Sequence, residues 1–548
     1  MEQYAHGLRA DNTPSPRHGK SYALKRRFSS LALHRRGTPS RARTRALGVA
    51  RCPVARRPRV ATAVRCSAMG NTESAQLQQR LSRFRPDERN LLDGAFDRLR
   101  EPPSGAAAGH SGKVLTLDAL KANTEGVASA SMTSRLFEAM RSTDPGSAAP
   151  LHGGVTHEQL LIFLSDVLRG TAVERAPLIR VMSGGATGGV TGCAQIREFL
   201  EDLLSAVVHI LVLRGQLQGW KPEFMGDSDQ GVKLLAEQLT SELKCTDQQT
   251  CDLPCLEDWL FRTSAVSLYL EYLTIEGLGV RLPSRPPLVL LPLCQDTPWG
   301  ELRSLMSLPL LLFLAPQLPR AQSAIWRLLF STRLHGESFT RLVGNCVRRG
   351  PTLLLLRDTH GYTFGGFASH SWETKPQFQG DSRCFLFSVF PSLRVYSCTG
   401  YNQHYMYLNQ GQQTMPNGLV SFILCAYCVT TESSVSHCNY CMFFHGSQGM
   451  GGQHNYFGLW LDSDFGRGHS RARPRCTTYG SPQLSAEEDF TVDSLEVWGV
   501  GDPPEDHEQT RGKKSVLDAD PEAQAMIEMA GKTLHSQGLR EPEEGDTD

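Results

Sequence analysis

The sequence predicts an α+β protein, in which a helical first half is followed by a β-rich second half. Two observations carry this. From residue 86 to about residue 213, apolar residues recur at helical spacing, as in Leu91, Leu92, Phe96 and Leu99, and similar stretches follow at 136–140, 160–168 and 196–204. From about residue 305 to residue 500 the pattern changes to short β-rich runs bounded by glycines. At 548 residues the chain exceeds one ordinary domain, so two or three folded units with tails are expected.

The formal net charge of +1 sums two unlike pieces. Residues 1–68 hold 16 of the 57 Lys+Arg but only Glu2 and Asp11, which leaves 41 basic against 54 acidic residues for the rest. That acidic remainder argues against a nucleic-acid partner, whose recognition depends on neutralising phosphate. No segment reaches the roughly 20 apolar residues that span a bilayer; residues 203–213 are too short, and 305–318 are broken by Pro309 and Pro316. Both read as buried core. The 15 cysteines, without a secretory signal, suggest reduced thiols rather than a disulfide framework.

The basic leader reads either as an organelle transit peptide or as an upstream stretch absent from the working protein, and the second is expected. At its end the sequence Met69-Gly70-Asn71-Thr72-Glu73-Ser74 fits the N-myristoylation pattern when read from Met69. Gly70 is therefore the expected lipidation site, and nearby Arg80, Arg83 and Arg85 could attract anionic lipid.

Three loops of the helical half share a glycine followed two residues on by valine: Gly112 and Val114, Gly153 and Val155, Gly188 and Val190. An EF-hand loop makes its turn and strand contact this way. Setting each glycine at loop position six puts Asp118, Gln159 and Ala194 where a bidentate Glu belongs. Residues 81–215 are therefore expected to be a degenerate, calcium-free EF-hand-like domain. Residues 216–300 read as a helical region and a linker punctuated by Pro283, Pro286, Pro287, Pro292 and Pro298. Cys245, Cys251 and Cys255 read there as core or surface thiols.

The second half supplies ordered landmarks. WRLLFSTRLHGES (326–338) reads as a helix ending in a glycine turn. GPTLLLLRDTHGYTFGGFASHSW (350–372) reads as two strands joined by a hairpin at 358–361. FQGDSRCFLFSVFP (378–391) is a loop and then a strand, GGQHNYFGLWLD (451–462) leads to Cys476-Thr477-Thr478-Tyr479, and FTVDSLEVWGV (490–500) is a closing strand. In this order the landmarks resemble the TLDc family over about 190 residues. With the myristoylation-type start and the EF-hand-like half, the resemblance narrows to the mTOR-associated branch of that family. It implies a TLDc β-sandwich with flanking helices over residues 301–500, a C-terminal helix, no cofactor and no catalytic activity. It further implies work as an adaptor in mTOR nutrient signalling, cytoplasmic and peripheral on the lysosomal membrane. The implied partners are the vacuolar proton-pumping ATPase, mTOR complex components and the membrane surface reached through myristate. The alternative within the family is an oxidation-resistance protein with cysteine-based protective chemistry, for which Cys384 and Cys476 are the candidates.

The residues themselves show no catalytic constellation. Asp358 and His360 read as hairpin-turn residues, Glu496 as a satisfied structural carboxylate, and the Ser/His pairs of 369–371 as incidental. Residues 420–448 interrupt the family pattern with Cys425, Cys428, Cys438 and Cys441. Two such thiolate pairs can hold tetrahedral zinc, but the stretch opens on Val-Ser and closes on Gln, as a retained intron would, and the intron reading is preferred. In the tail (501–548), residues 515–537 space Ala525, Met526, Met529, Ala530 and Leu534 along one helix face. That stripe either folds back onto the sandwich or docks in a groove of a partner, with Met526, Met529 and Leu534 as the contacts.

Overall fold

In the computed structural model, residues 78–101, 114–143, 153–185, 189–246, 248–319, 324–409, 447–453, 456–463 and 465–502 are described. Among the described residues the helical half contains four helix–loop–helix pairs: α1 (Pro86–Arg100) with α2 (Leu117–Thr124), α3 (Ala130–Arg141) with α4 (His157–Arg169), α5 (Ala172–Met182) with α6 (Cys193–Leu213), and α7 (Ser228–Ser241) with α8 (Leu253–Arg262). The loops bond in twos. Leu115 and Val155 exchange backbone hydrogen bonds of 2.8 Å each way, and β1 (Thr191–Gly192) pairs antiparallel with β2 (Thr250–Cys251). In all four loops the second helix starts two residues after a bridging residue. Thr116, Thr156 and Asp252 then cap α2, α4 and α8 by accepting from the backbone N–H three residues on, which satisfies one of the free donors of each first turn.

The fourth loop has no counterpart among the three expected from the sequence. Its Gln249 occupies the left-handed region at φ 57°, so no glycine marked it. The first and third loops also sit one residue later than their glycines suggest, because the bridging residues are Leu115 and Thr191 rather than Val114 and Val190. The reading of Cys245 as a core or surface thiol is corrected as well: it is disulfide-bonded to Cys193. Among the described residues no helix is long and apolar enough to cross a membrane.

Following α9 (Ser264–Tyr272), β3 (Leu293–Gln295) and α10 (Leu308–Leu314), the chain builds a curled sheet that is antiparallel apart from the β3–β4 pair. Its strands are β4 (Ile325–Ser331), β5 (Thr352–Asp358), β6 (Thr363–Ala368), β7 (Lys375–Gln379), β8 (Phe385–Phe390), β9 (Arg394–Ser397), β10 (Met406–Asn409), β11 (Ser447–Gln453), β12 (Tyr456–Leu461), β13 (Arg467–His469) and β14 (Asp489–Val500). The long strand β14 joins two leaves. Its first residues pair with β13, which continues through β12, β11 and β10 to β7; the rest lies between β4 and β5, and β5 continues through β6 and β8 to β9.

The leaf containing β5 is buried on both faces, which explains why TLLLL reads as continuous rather than alternating apolar sequence. Leu353, Leu355, Phe367, Phe385, Phe387 and Trp498 join the core of the helical half. Their neighbours Leu354, Leu356, Phe364, Leu386 and Val497 join Met406, Leu408, Met450 and Leu459 of the other leaf. The expected helix at 326–338 is mostly strand, since 325–331 is β4 and only Thr332–His335 is helical. A register shift where β4 meets β14 turns Trp326 to the helical side and Phe330 to the sandwich interior. That irregularity breaks the period of two and imitates helical spacing. Residues 378 and 379, expected as the start of a loop, end β7, which pairs with β10 at the sheet edge.

Candidate functional site

The most heavily constructed polar site lies in the seam between the helical half and the sheet. Glu496, which β14 turns toward the helices, is 2 % exposed. Its carboxylate accepts from Ser304 Oγ at 2.8 Å, from the Leu305 backbone N–H at 2.8 Å and from Trp498 Nε1 at 3.0 Å. Burial pushes its pKa above the ordinary glutamate range, against the downward pull of those three donors. Around it Trp220, Trp299, Trp326 and Trp498 pack with ring centroids 5.1–6.3 Å apart. Trp220 also donates to the Pro292 carbonyl at 2.8 Å. Glu496 thus pins the segment entering the sheet domain to that domain's last strand. It is the satisfied structural carboxylate read from the sequence.

The other candidate residues are likewise engaged. Asp358 Oδ1 accepts from the backbone N–H groups of His360 and Tyr362, both at 2.9 Å, and Oδ2 from Ser485 Oγ, so Asp358 holds the β5–β6 turn as expected. Ser369 Oγ donates to Asp381 Oδ1 at 2.8 Å and lies 3.0 Å from His370 Nδ1 and 3.2 Å from Cys384 Sγ. Its proton is directed at a carboxylate and its side chain is buried, so the serine ties the end of β6 to the turn before β8. Although burial pushes Asp381 up, hydrogen bonds from Arg383 and Ser369 hold its carboxyl down to about 2.

Cys384 and Cys476 meet a third cysteine, Cys398, that the sequence reading did not single out. Cys384 is 1 % and Cys476 3 % exposed, and Cys398 Sγ donates to the Cys384 carbonyl at 3.2 Å. Burial pushes Cys398 up to about 12 and raises Cys476 as well. Protective thiol chemistry needs an exposed, low-pKa thiolate, and these two environments are the reverse of that. A shallow cavity of about 360 Å³ lies beside Cys384, lined by Gln317, Leu318, Arg383, Phe385 and Val395 among others.

Arg80 and Arg83 are drawn into ion pairs: Arg80 Nε lies 2.8 Å from Asp166 Oδ1, and Arg83 forks onto Glu174. Asp166 and Glu174 lie on α4 and α5, so these arginines fasten the start of the described chain to the helical half. In two loops a glutamine closes the turn. Gln159 Oε1 accepts from the Thr156 backbone N–H at 2.8 Å while its Nε2 donates to the Arg141 carbonyl at 2.9 Å; Gln195 Oε1 accepts from the Gly192 N–H at 3.0 Å. The sites expected at Gly70, at Cys425, Cys428, Cys438 and Cys441, and at Met526, Met529 and Leu534 lie outside the described residues.

Residues 301–501 match the TLDc domain family, so the sheet, its flanking helices and the seam are those of a TLDc-domain protein. The similarity extends well beyond this domain. A Danio rerio protein named MTOR-associated protein MEAK7 is 62% identical over 478 residues, 87% of this chain and 99% of that protein. The Homo sapiens protein of the same name is 42% identical over 484 residues, 86% and 99% of the two chains. Nuclear receptor coactivator 7 of Mus musculus is 30% identical over 187 residues, 34% of this chain and 16% of that protein. The chain belongs to the MEAK7 family of MTOR-associated proteins.

Proposed function

We propose that the protein is a non-catalytic adaptor in mTOR nutrient signalling, working on the cytosolic face of the lysosomal membrane with the vacuolar proton-pumping ATPase and mTOR complex components as partners. The observation that carries this reading is the similarity over nearly the whole length of relatives named for their association with MTOR. The engaged state of Glu496, Asp358 and Ser369 and the buried thiols Cys384 and Cys476 support it. A myristoyl group on Gly70, in a protein starting at Met69, supplies the first membrane contact. One such chain binds membranes only marginally, with a constant of about 10⁴ M⁻¹. Since Arg80 and Arg83 are spent on Asp166 and Glu174, the second contact is a protein partner. Fractionation of cells expressing the protein from Met69 tests this: Gly70→Ala moves it from the membrane fraction to the cytosol. A membrane share equal to that of the unsubstituted protein contradicts the proposal.

The four helix–loop–helix pairs read as EF-hand-type units that have replaced the metal by hydrogen bonds. Counted from the bridging residues, the place of the bidentate Glu falls at Ala119, Gln159, Gln195 and Cys255. Only the second of these coincides with the assignment from the glycines. A neutral amide bonded to the backbone, as Gln159 and Gln195 are, offers calcium neither the charge nor the two oxygens it requires. Titration of the whole chain with calcium is expected to give no saturable heat at roughly micromolar concentrations, the range of sensor EF-hands. A saturable signal there overturns the reading of these loops.

A further inference from the structure

The β1–β2 ladder gathers four cysteines. Cys193 directly follows β1 and donates its backbone N–H to the Gln249 carbonyl at 2.9 Å. Its disulfide to Cys245 joins positions 52 residues apart, one on each of the two loops. Cys255, in the first turn of α8, donates its thiol to the carbonyl oxygen of Lys244 at 3.1 Å, which belongs to the peptide bond that leads into Cys245. Cys245 and Cys255 are half-buried, whereas Cys193 and Cys251 are buried. The less buried cysteine of the disulfide is therefore the one whose own peptide bond accepts from the Cys255 thiol. Burial, followed by the neighbouring Cys255, holds the Cys251 thiol far above the ordinary cysteine range, so Cys251 remains a protonated bystander.

We propose that Cys193, Cys245 and Cys255 form a thiol–disulfide exchange site that switches the cross-link between the two loops on and off. Cys255 gives its proton to solvent and its thiolate attacks Cys245 Sγ. The new Cys245–Cys255 bond forms as the Cys193–Cys245 bond breaks, and the electron pair leaves on Cys193 Sγ, which takes up a proton. The exchange is balanced without an external oxidant or reductant, as thiol attack on a disulfide always is. Its consequence is mechanical. A bond that ties the α5–α6 pair to the α7–α8 pair becomes a short loop within the second pair, and the two loops are then held by the two-residue ladder and side-chain packing alone.

The test uses the full chain equilibrated in mixtures of reduced and oxidised glutathione, quenched with acid, alkylated and mapped by mass spectrometry. The unsubstituted protein should yield both Cys193–Cys245 and Cys245–Cys255. Cys193→Ser should yield only the second, and Cys255→Ser only the first. Hydrogen exchange at the Cys193 amide, followed in the unsubstituted protein as the first linkage is lost, should quicken about tenfold as the loop pair loosens. The proposal is overturned if Cys245 and Cys255 stay as thiols in Cys193→Ser under conditions that oxidise Cys193 and Cys245 in the unsubstituted chain. Zinc co-purifying at one ion per chain and lost in Cys255→Ser also overturns it, because the four sulfurs would then be thiolate ligands.

Discussion

Glu496→Ala is expected to weaken the protein by about 4 kcal/mol, because it leaves the Ser304 hydroxyl, the Leu305 N–H and the Trp498 indole N–H buried without an acceptor. Four tryptophans surround the site, so urea unfolding followed by tryptophan fluorescence reads the loss directly. Glu496→Gln isolates the charge. The folded-state pKa of Glu496 lies above its unfolded value, so the folded protein holds this proton more tightly. The group's stabilising contribution is therefore complete below the ordinary glutamate value and is lost as pH rises through the raised one. In that window the unsubstituted chain should lose stability with rising pH more steeply than Glu496→Gln. Parallel pH profiles would remove the charge from this account, and a Glu496→Ala chain as stable as the original would remove the clasp altogether.

What the sequence disclosed, and what it hid, follows from how far apart the cooperating residues lie. The β5–β6 hairpin was legible because Asp358 and Gly361 sit inside the turn they make. Strand β14 was legible because FTVDSLEVWGV is one continuous β-rich run. Residues 203–213 and 305–318 were legible as core for a similar reason: each is too short or too broken to span a bilayer, and the structure buries most of both. Strand β4 was misread because a bulge reverses its faces between Trp326 and Phe330. The fourth loop escaped notice because a glutamine takes the backbone conformation in which glycine was sought. Glu496 was recognisable as a structural acid, but its partners Ser304 and Leu305 lie 192 and 191 residues away, and the Cys193–Cys245 pairing spans 52. No local pattern carries such information. The ion pairs of Arg80 and Arg83 were hidden for the same reason, since Asp166 and Glu174 come near them only in the fold.

The central claim is that the protein reaches its membrane partner as an adaptor, and the tail tests it most directly. The spacing of Met526, Met529 and Leu534 within residues 515–537 predicts one apolar stripe on a helix, the form in which amphipathic peptides dock in grooves. Met526→Asp with Leu534→Asp puts two charges on that expected stripe. Burying even one of those charges in an apolar groove costs several kcal/mol, enough to abolish a contact of ordinary strength. The measurement is capture of the proton-pumping ATPase from lysosomal membranes by the full chain starting at Met69. The account predicts that the unsubstituted protein captures the ATPase and that the double substitution, with an unchanged urea unfolding midpoint, loses it. Failure of the unsubstituted protein to capture the ATPase contradicts the account, and equal capture by both proteins contradicts the role given to the tail.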